Sequence, residues 1–143
     1  MKKSKTLVLG VNYKGVENYA KDYFKSIVDQ DTDQFDLLIL NDNTASLKLG
    51  EMNVNFDEIM ISEHRSPALI RSDGLHYAIN NDYQNLIFSD LDDFFSINRI
   101  SLSIRELEKY DFVFNEIHLI DQNSEIIDEN YLYKICLGKN VNS

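Results

Sequence analysis

The run Leu86-Ile87-Phe88-Ser89-Asp90-Leu91-Asp92-Asp93-Phe94 constrains this chain most, because an apolar segment ends in three carboxylates within four residues. An apolar run of this kind reads as a buried strand. Carboxylates massed at its end repel one another unless a cation or a hydrogen-bonding ligand stands between them. Hard cations such as Mg²⁺ and Mn²⁺ prefer oxygen ligands, and Mg²⁺ commonly binds through one or two carboxylates plus the phosphate oxygens of a substrate. The segment therefore points to a metal and a phosphorylated ligand at the end of a strand, against the plainer alternative of a solvated acidic turn.

The flanking sequence supplies the rest of such a fold. Residues 6–11 are rich in Leu and Val, the pattern of a strand covered on both faces. Val16, Tyr19, Ala20, Tyr23, Phe24, Ile27 and Val28 then recur at steps of three and four, which predicts an amphipathic helix. Residues 35–40 and 56–61 form two further apolar strands. Ser66-Pro67 opens a helix running to about Asn80, with Ser as the cap and Pro in the first turn. After the strand at 86–88, Ile97, Ile100, Ile104 and Leu107 trace another helical stripe. Residues 112–114 open a fifth strand, continued or paired by 117–120. This alternation predicts an α/β three-layer sandwich with a mainly parallel sheet. At 143 residues and 43% hydrophobic content, one domain spanning 1–143 is expected.

Charge and cysteine content narrow the partners. A net charge of -10 argues against nonspecific binding to nucleic acid or anionic membrane, which reward clustered Lys and Arg. The basic cluster Lys2, Lys3 and Lys5 is followed by no apolar h-region, and no apolar run is long enough to span a membrane. The single cysteine, Cys136, excludes an internal disulfide and fits a reducing cytoplasm; between Ile135 and Leu137 it reads as an inert core thiol. His64, His76 and His118 lack metal-ligand spacing and read as surface or structural residues.

In a parallel sheet, ligands bind beyond the carboxyl ends of the strands. The residues there are Asn12-Tyr13, Asn41-Asp42-Asn43-Thr44, Ser62-Glu63-His64 and Asp90-Leu91-Asp92-Asp93. Asn-Asp-Asn-Thr is also an ordinary turn composition. Arg71 falls on the helical stripe of Leu75 and Ala78, so its guanidinium is expected at the sheet edge. There its planar fork suits a phosphate, or a structural ion pair with a nearby acid.

The order of these residues resembles the nucleotide-binding half of the GT-A glycosyltransferases, in particular the inverting family 2. The pieces that carry the resemblance are Asn12-Tyr13, Ser26-Ile27-Val28-Asp29-Gln30, Asn41-Asp42-Asn43-Thr44, the helix segment Ile70-Arg71-Ser72-Asp73-Gly74-Leu75-His76-Tyr77-Ala78, and Asp90-Leu91-Asp92-Asp93. The resemblance implies nucleotide binding by Asn12, Tyr13, Asp42, Arg71 and Asp90. Asp42 would contact the nucleobase, Arg71 would lie near the nucleotide, and Asp90 would approach the ribose or donor sugar. It further implies that Asp92, of the DxD motif, holds the Mn²⁺ or Mg²⁺ bridging the diphosphate. The partners implied are a nucleoside diphosphate sugar and a glycan or lipid-linked acceptor. The sequence departs from the family's pattern at Lys14-Gly15, at Asn41 in place of an Asp, and at Ser72-Asp73. Family members also carry a further acceptor-binding segment with a general base. Asp121, Glu125, Asp128 and Glu129 have no context that marks a base, so the catalytic residue is not identified and this chain alone is expected to transfer sugar poorly.

Two other readings remain. One is a non-catalytic nucleotide-binding or scaffolding module of glycan assembly. The other is a haloacid-dehalogenase-like phosphatase with Asp90 as nucleophile and Asp92 as acid/base. Against the latter, Phe94 stands where that motif has Thr or Val, and the motif normally opens its fold.

Overall fold

The computed structural model describes residues 5–50, 52–63, 65–121, 123, 125–129 and 131; His64 and Cys136 lie outside them. The chain divides into two compact units, Met1–Tyr110 and Asp111–Ser143. The first contains strands β1 (Thr6–Asn12), β2 (Asp36–Asp42), β3 (Asp57–Ile61) and β4 (Asn85–Phe88), with helices α1 (Ala20–Val28), α2 (Pro67–Asn80) and α3 (Arg99–Leu107). The strands form one sheet in the order β3-β2-β1-β4. Every pairing is parallel, with Asn12 level with Asn41.

The period of two along a strand sorts the apolar residues onto two faces. Val8, Ile39 and Ile87 pack with Tyr23, Phe24 and Ile27 of α1 and Ile100 of α3. Leu7, Leu9, Val11, Leu38 and Leu40 pack with Ile70 and Ala78 of α2. Two helices on one face and one on the other give the expected three-layer α/β sandwich, with the central strands buried on both sides as their unbroken Leu/Ile/Val runs predict.

Ser66 caps α2 by accepting a hydrogen bond from the Leu69 amide at 3.4 Å, and Pro67 occupies the first turn. The buried stripe of α2 is Ile70, Gly74 and Ala78, whereas Leu75 is 45% exposed. This corrects the expected stripe of Arg71, Leu75 and Ala78 by one position. The cause is Gly74: a Cβ there would lie 2.3 Å from Leu9 Cδ2, so the helix turns its glycine to the sheet and backbone meets side chain directly.

The second unit contains an antiparallel pair, β5 (Leu119–Ile120) and β6 (Ile126–Asp128). The expected fifth strand at 112–114 is a correction, since these residues form neither helix nor strand. Of 117–120 only Leu119 and Ile120 are strand, and they pair with β6, not with the parallel sheet. Phe112 and Phe114 instead pack edge to face at 4.5 Å while remaining 69% and 80% exposed. Two aromatics satisfy each other here without the cross-strand neighbours that β-propensity expresses.

Candidate functional site

Because all four strands of the sheet run the same way, Asn12-Tyr13, Asp42, Ser62 and Ser89-Asp90 emerge on one edge. With β1 between β2 and β4, Asp42 and Asp90 are separated laterally by two strand spacings, about 10 Å.

The acidic loop after β4 is built from an inner and an outer set of residues. Ser89 and Leu91 are buried, while Asp92 and Asp93 are exposed and Asp90 is half-buried. Ser89 Oγ donates to the Leu9 carbonyl at 2.9 Å, so its 2.7 Å contact with Tyr23 is a bond accepted from the phenol. Leu91 occupies space above Gly10, where a Cβ would come within 2.7 Å of its Cδ1. With alternate residues pinned inward, the carboxylates are turned outward.

Two side chains meet those carboxylates. Arg71 of α2 forms an ion pair with Asp90, so the sheet-edge position expected for its guanidinium is realised despite the shift in stripe. Tyr13, just beyond β1, hydrogen-bonds Asp92; burial, then that bond and the Asp92 charge, pushes its phenol up to about 12. Asp93, although exposed at its surface side, has its carboxyl partly desolvated by the surrounding loop, and this, then the charges of Asp92 and Asp90, raises it above the usual range, with Arg99 acting in the opposite direction. The loop thus carries more negative charge than its neighbours offset, which favours a bound cation.

Asn12 behaves differently from its neighbours. It is fully buried, and its Nδ2 donates to the Ala45 carbonyl at 3.2 Å, tying β1 to the turn after β2. Its Oδ1 has no hydrogen-bond partner among the described residues. In this conformation it underlies the site without presenting surface to a ligand. Asn41, where the resemblance has an Asp, is likewise structural: Nδ2 donates to Glu58 at 2.7 Å and Oδ1 accepts from the Thr44 amide at 2.9 Å. A carboxylate there would face Glu58 with like charge, which accounts for the amide. Asp42 is half-buried at the start of the turn, which Asn43 completes in the left-handed region at φ 49°.

Among the described residues no group of three His, Cys, Asp or Glu is arranged to hold a metal ion. The loop does not form a closed protein cage. Its exposed Asp92 beside Asp93 fits the other mode of Mg²⁺ binding, in which one or two carboxylates share the cation with substrate phosphates.

The tail acids belong to the second unit. Asp121 Oδ1 accepts from the Asn123 and Glu125 amides at 2.8 and 3.0 Å, closing the β5–β6 turn; these bonds hold its carboxyl below the usual range. His118 is exposed, and His76 lines a separate groove of about 570 Å³ between α2 and β3, with Met60, Glu63, Arg65, Asp73 and Tyr77. None of Tyr13, Asp42, Arg71, Asp90 or Asp92 lines that groove. The pinning roles of Ser89 and Glu58 escaped sequence reasoning. A serine ending an apolar strand was the available signal for the first, whereas Glu58 is visible only once β3 pairs with β2.

No family model matches the sequence, and no curated protein does either. Solved structures do. S. aureus TarS 1-349 in complex with UDP aligns with a TM-score of 0.57 at 14% identity, covering 84% of this chain and 43% of that one. Another structure of S. aureus TarS aligns with a TM-score of 0.54 at 15% identity over 73% of this chain and 19% of that one. The UDP-GlcNAc complex of TarS 1-349 gives 0.50 at 18% identity over 71% of this chain and 30% of that one. The likeness shows a fold of the GT-A type, and the chain spans less than half the length of these structures.

Proposed function

We propose that this chain is the nucleotide-sugar-binding part of a glycosyltransferase, taking a nucleoside diphosphate sugar with Mn²⁺ or Mg²⁺ for transfer to a glycan or lipid-linked acceptor. One observation carries the reading: Arg71 and Tyr13 converge with the outward-turned carboxylates of the acidic loop at the carboxyl edge of a GT-A-type sheet. The structures that share this fold include complexes with UDP and UDP-GlcNAc, which supports a nucleotide sugar as the ligand.

In this reading Asp92 holds the cation, with Asp93 beside it. When bound, the cation supplies positive charge to a departing nucleoside diphosphate. Arg71 offers its guanidinium fork to a phosphate oxygen while keeping Asp90 oriented toward the ribose or donor sugar. Tyr13 holds Asp92 in place through the hydrogen bond from its phenol. Asp42 accepts hydrogen bonds from the nucleobase. Calorimetry with UDP tests the reading: binding is expected to be much tighter in Mn²⁺ or Mg²⁺ than in EDTA, and the affinity in metal to weaken at least about tenfold in Asp92→Asn, which removes a charged oxygen ligand. Equal UDP affinity in metal and in EDTA would refute the metal role, and no binding in either would refute the function.

A further inference from the structure

The segment that follows the acidic loop is held by residues at the end of α1 and just beyond it. Ser26 and Gln30 lie one turn apart at the end of α1, with Gln30 just beyond its last residue. Ser26 Oγ donates to the Tyr23 carbonyl at 2.7 Å and accepts from the Phe95 amide at 3.0 Å. Gln30 is used more fully. Its Nε2 donates to the Ser26 carbonyl at 2.9 Å and to the Ser96 carbonyl at 2.8 Å, while its Oε1 accepts from the Ile100 amide at 3.0 Å. Beside it, the Asp31 amide donates to the Ile97 carbonyl at 2.9 Å, and the Asp31 carboxylate accepts from Ser101 Oγ at 3.1 Å.

These bonds fall on consecutive parts of one segment, residues 95–101, immediately after Asp92 and Asp93. They also supply the cap that α3 lacks. Asn98, at its N-cap position, makes no capping bond through its side chain, and the Ile100 amide, one of the four donors that a helix start leaves open, is satisfied by Gln30 Oε1. The other end of the loop is fixed at Ser89 and Leu91. The three residues Asp92–Phe94 therefore span a short gap between two anchored ends, and the direction of the Asp92 carboxylate depends on both anchors.

We infer that Gln30, with Ser26, is a positioning residue for the acidic loop: it sets the orientation in which Asp92 meets the cation and the diphosphate, without touching either. This rests on the nucleotide-sugar reading above. Groups that orient a metal-binding carboxylate typically govern affinity by 10- to 100-fold although they make no bond to the metal.

The test measures the Kd for UDP in Mn²⁺ and in EDTA by calorimetry, on the 143-residue chain, at a temperature where circular dichroism reports each variant folded. The readout is the metal-dependent gain, the ratio of the two constants. Gln30→Ala is expected to reduce that gain about tenfold or more, and Ser26→Ala to reduce it less, since it removes one loop bond where the other removes two. Should Gln30→Ala fail to fold, Gln30→Glu keeps an acceptor for Ile100, loses the donor to Ser96, and is expected to reduce the gain as well. Tyr83→Phe is the control; it deletes a 2.9 Å bond to Asp36, at the opposite end of the sheet, and is expected to cost stability without changing the gain. Hydrogen exchange at the Phe95 and Ile100 amides follows the anchors themselves. Faster exchange at these amides in Gln30→Ala with an unchanged gain overturns the inference. A wild-type chain that shows no metal-dependent gain overturns the functional reading, and the inference with it.

Discussion

Gly74→Ala places one methyl group at the tightest contact between helix and sheet, and its effect separates two opposed forces. At an open helix position the change would stabilise by about 1 kcal/mol, from better helix propensity. Here the new Cβ would lie 2.3 and 2.9 Å from the two Cδ atoms of Leu9 and 3.1 Å from its Cγ. Leu9 cannot move aside cheaply: it is 1% exposed, on the central strand, packed with Leu7, Val11, Leu38 and Ile70. Forcing a methyl into such a site typically costs about 1–3 kcal/mol. At the middle of that range overpacking wins, for a net loss on the order of 1 kcal/mol after the propensity gain is set against it. For a unit of this size that lowers Tm by roughly 4–8 °C, read by thermal denaturation followed by circular dichroism. Relief must come from α2 moving outward, which would also draw Arg71 away from Asp90, one turn earlier on the helix. A Leu9→Val/Gly74→Ala double variant should lose less than the sum of the two single changes, since the smaller side chain vacates the contested space. Gly74→Ala at or above wild-type Tm would show that helix propensity outweighs overpacking at this contact, and the close approach to Leu9 would then carry no such cost.

Three further outcomes follow from the charges around the loop. Asp93→Asn is expected to raise Tm at pH 7. The folded state holds the Asp93 proton more tightly than the unfolded chain does, so stability falls as pH rises above the ordinary carboxyl value, and the gain from Asn should vanish below about pH 4, where both states are protonated; a lower Tm at pH 7 would contradict this. Arg71→Ala should change stability by less than about 1 kcal/mol, because the pair with Asp90 is more than one-third exposed on each side, yet weaken UDP binding at least about tenfold through loss of a charged donor; the opposite pattern in paired denaturation and calorimetry would make Arg71 purely structural. Raising salt should leave unchanged or strengthen the residual UDP affinity in EDTA, where like charges are being screened, and weaken the affinity in Mn²⁺, where opposite charges are; titrations at two ionic strengths that move in the same downward direction would count against a cation-bridged diphosphate.

The parallel sheet was legible because its signal is redundant. β1 and β2 are unbroken Leu/Ile/Val runs that only burial on both faces explains, and Ser66-Pro67 marks the start of α2 through two separate mechanisms. Where the signal was thin, tertiary context decided. Phe112-Val113-Phe114 has strand composition, yet a strand exists only through a neighbour, and none pairs with it among the described residues. The stripe of α2 was misplaced because Gly carries no hydropathy to mark a buried face, although Gly74 is the residue nearest the sheet. At the site, the acidic loop and Arg71 could be read from residue types and spacing. The fates of Asn12 and Asn41 could not, since an Asn at a strand end reads equally as ligand contact or turn clamp until its partners, Ala45, Thr44 and Glu58, are known.

The charge balance explains why the loop is built as it is. A chain of net charge -10 that presents three of its acids together on one edge would repel a diphosphate outright. Arg71 alone does not reverse that, because its charge is already shared with Asp90. Tyr13 brings a donor but no charge, since its raised phenol stays protonated at neutral pH. On the proposed reading, the surplus on Asp92 and Asp93 would be the means of retaining a divalent cation at the edge, and the cation would in turn convert a repulsive surface into an attractive one for phosphate. Removing that surplus by substitution should accordingly make the folded protein more stable and the site less competent, the usual relation between a strained charge cluster and its use.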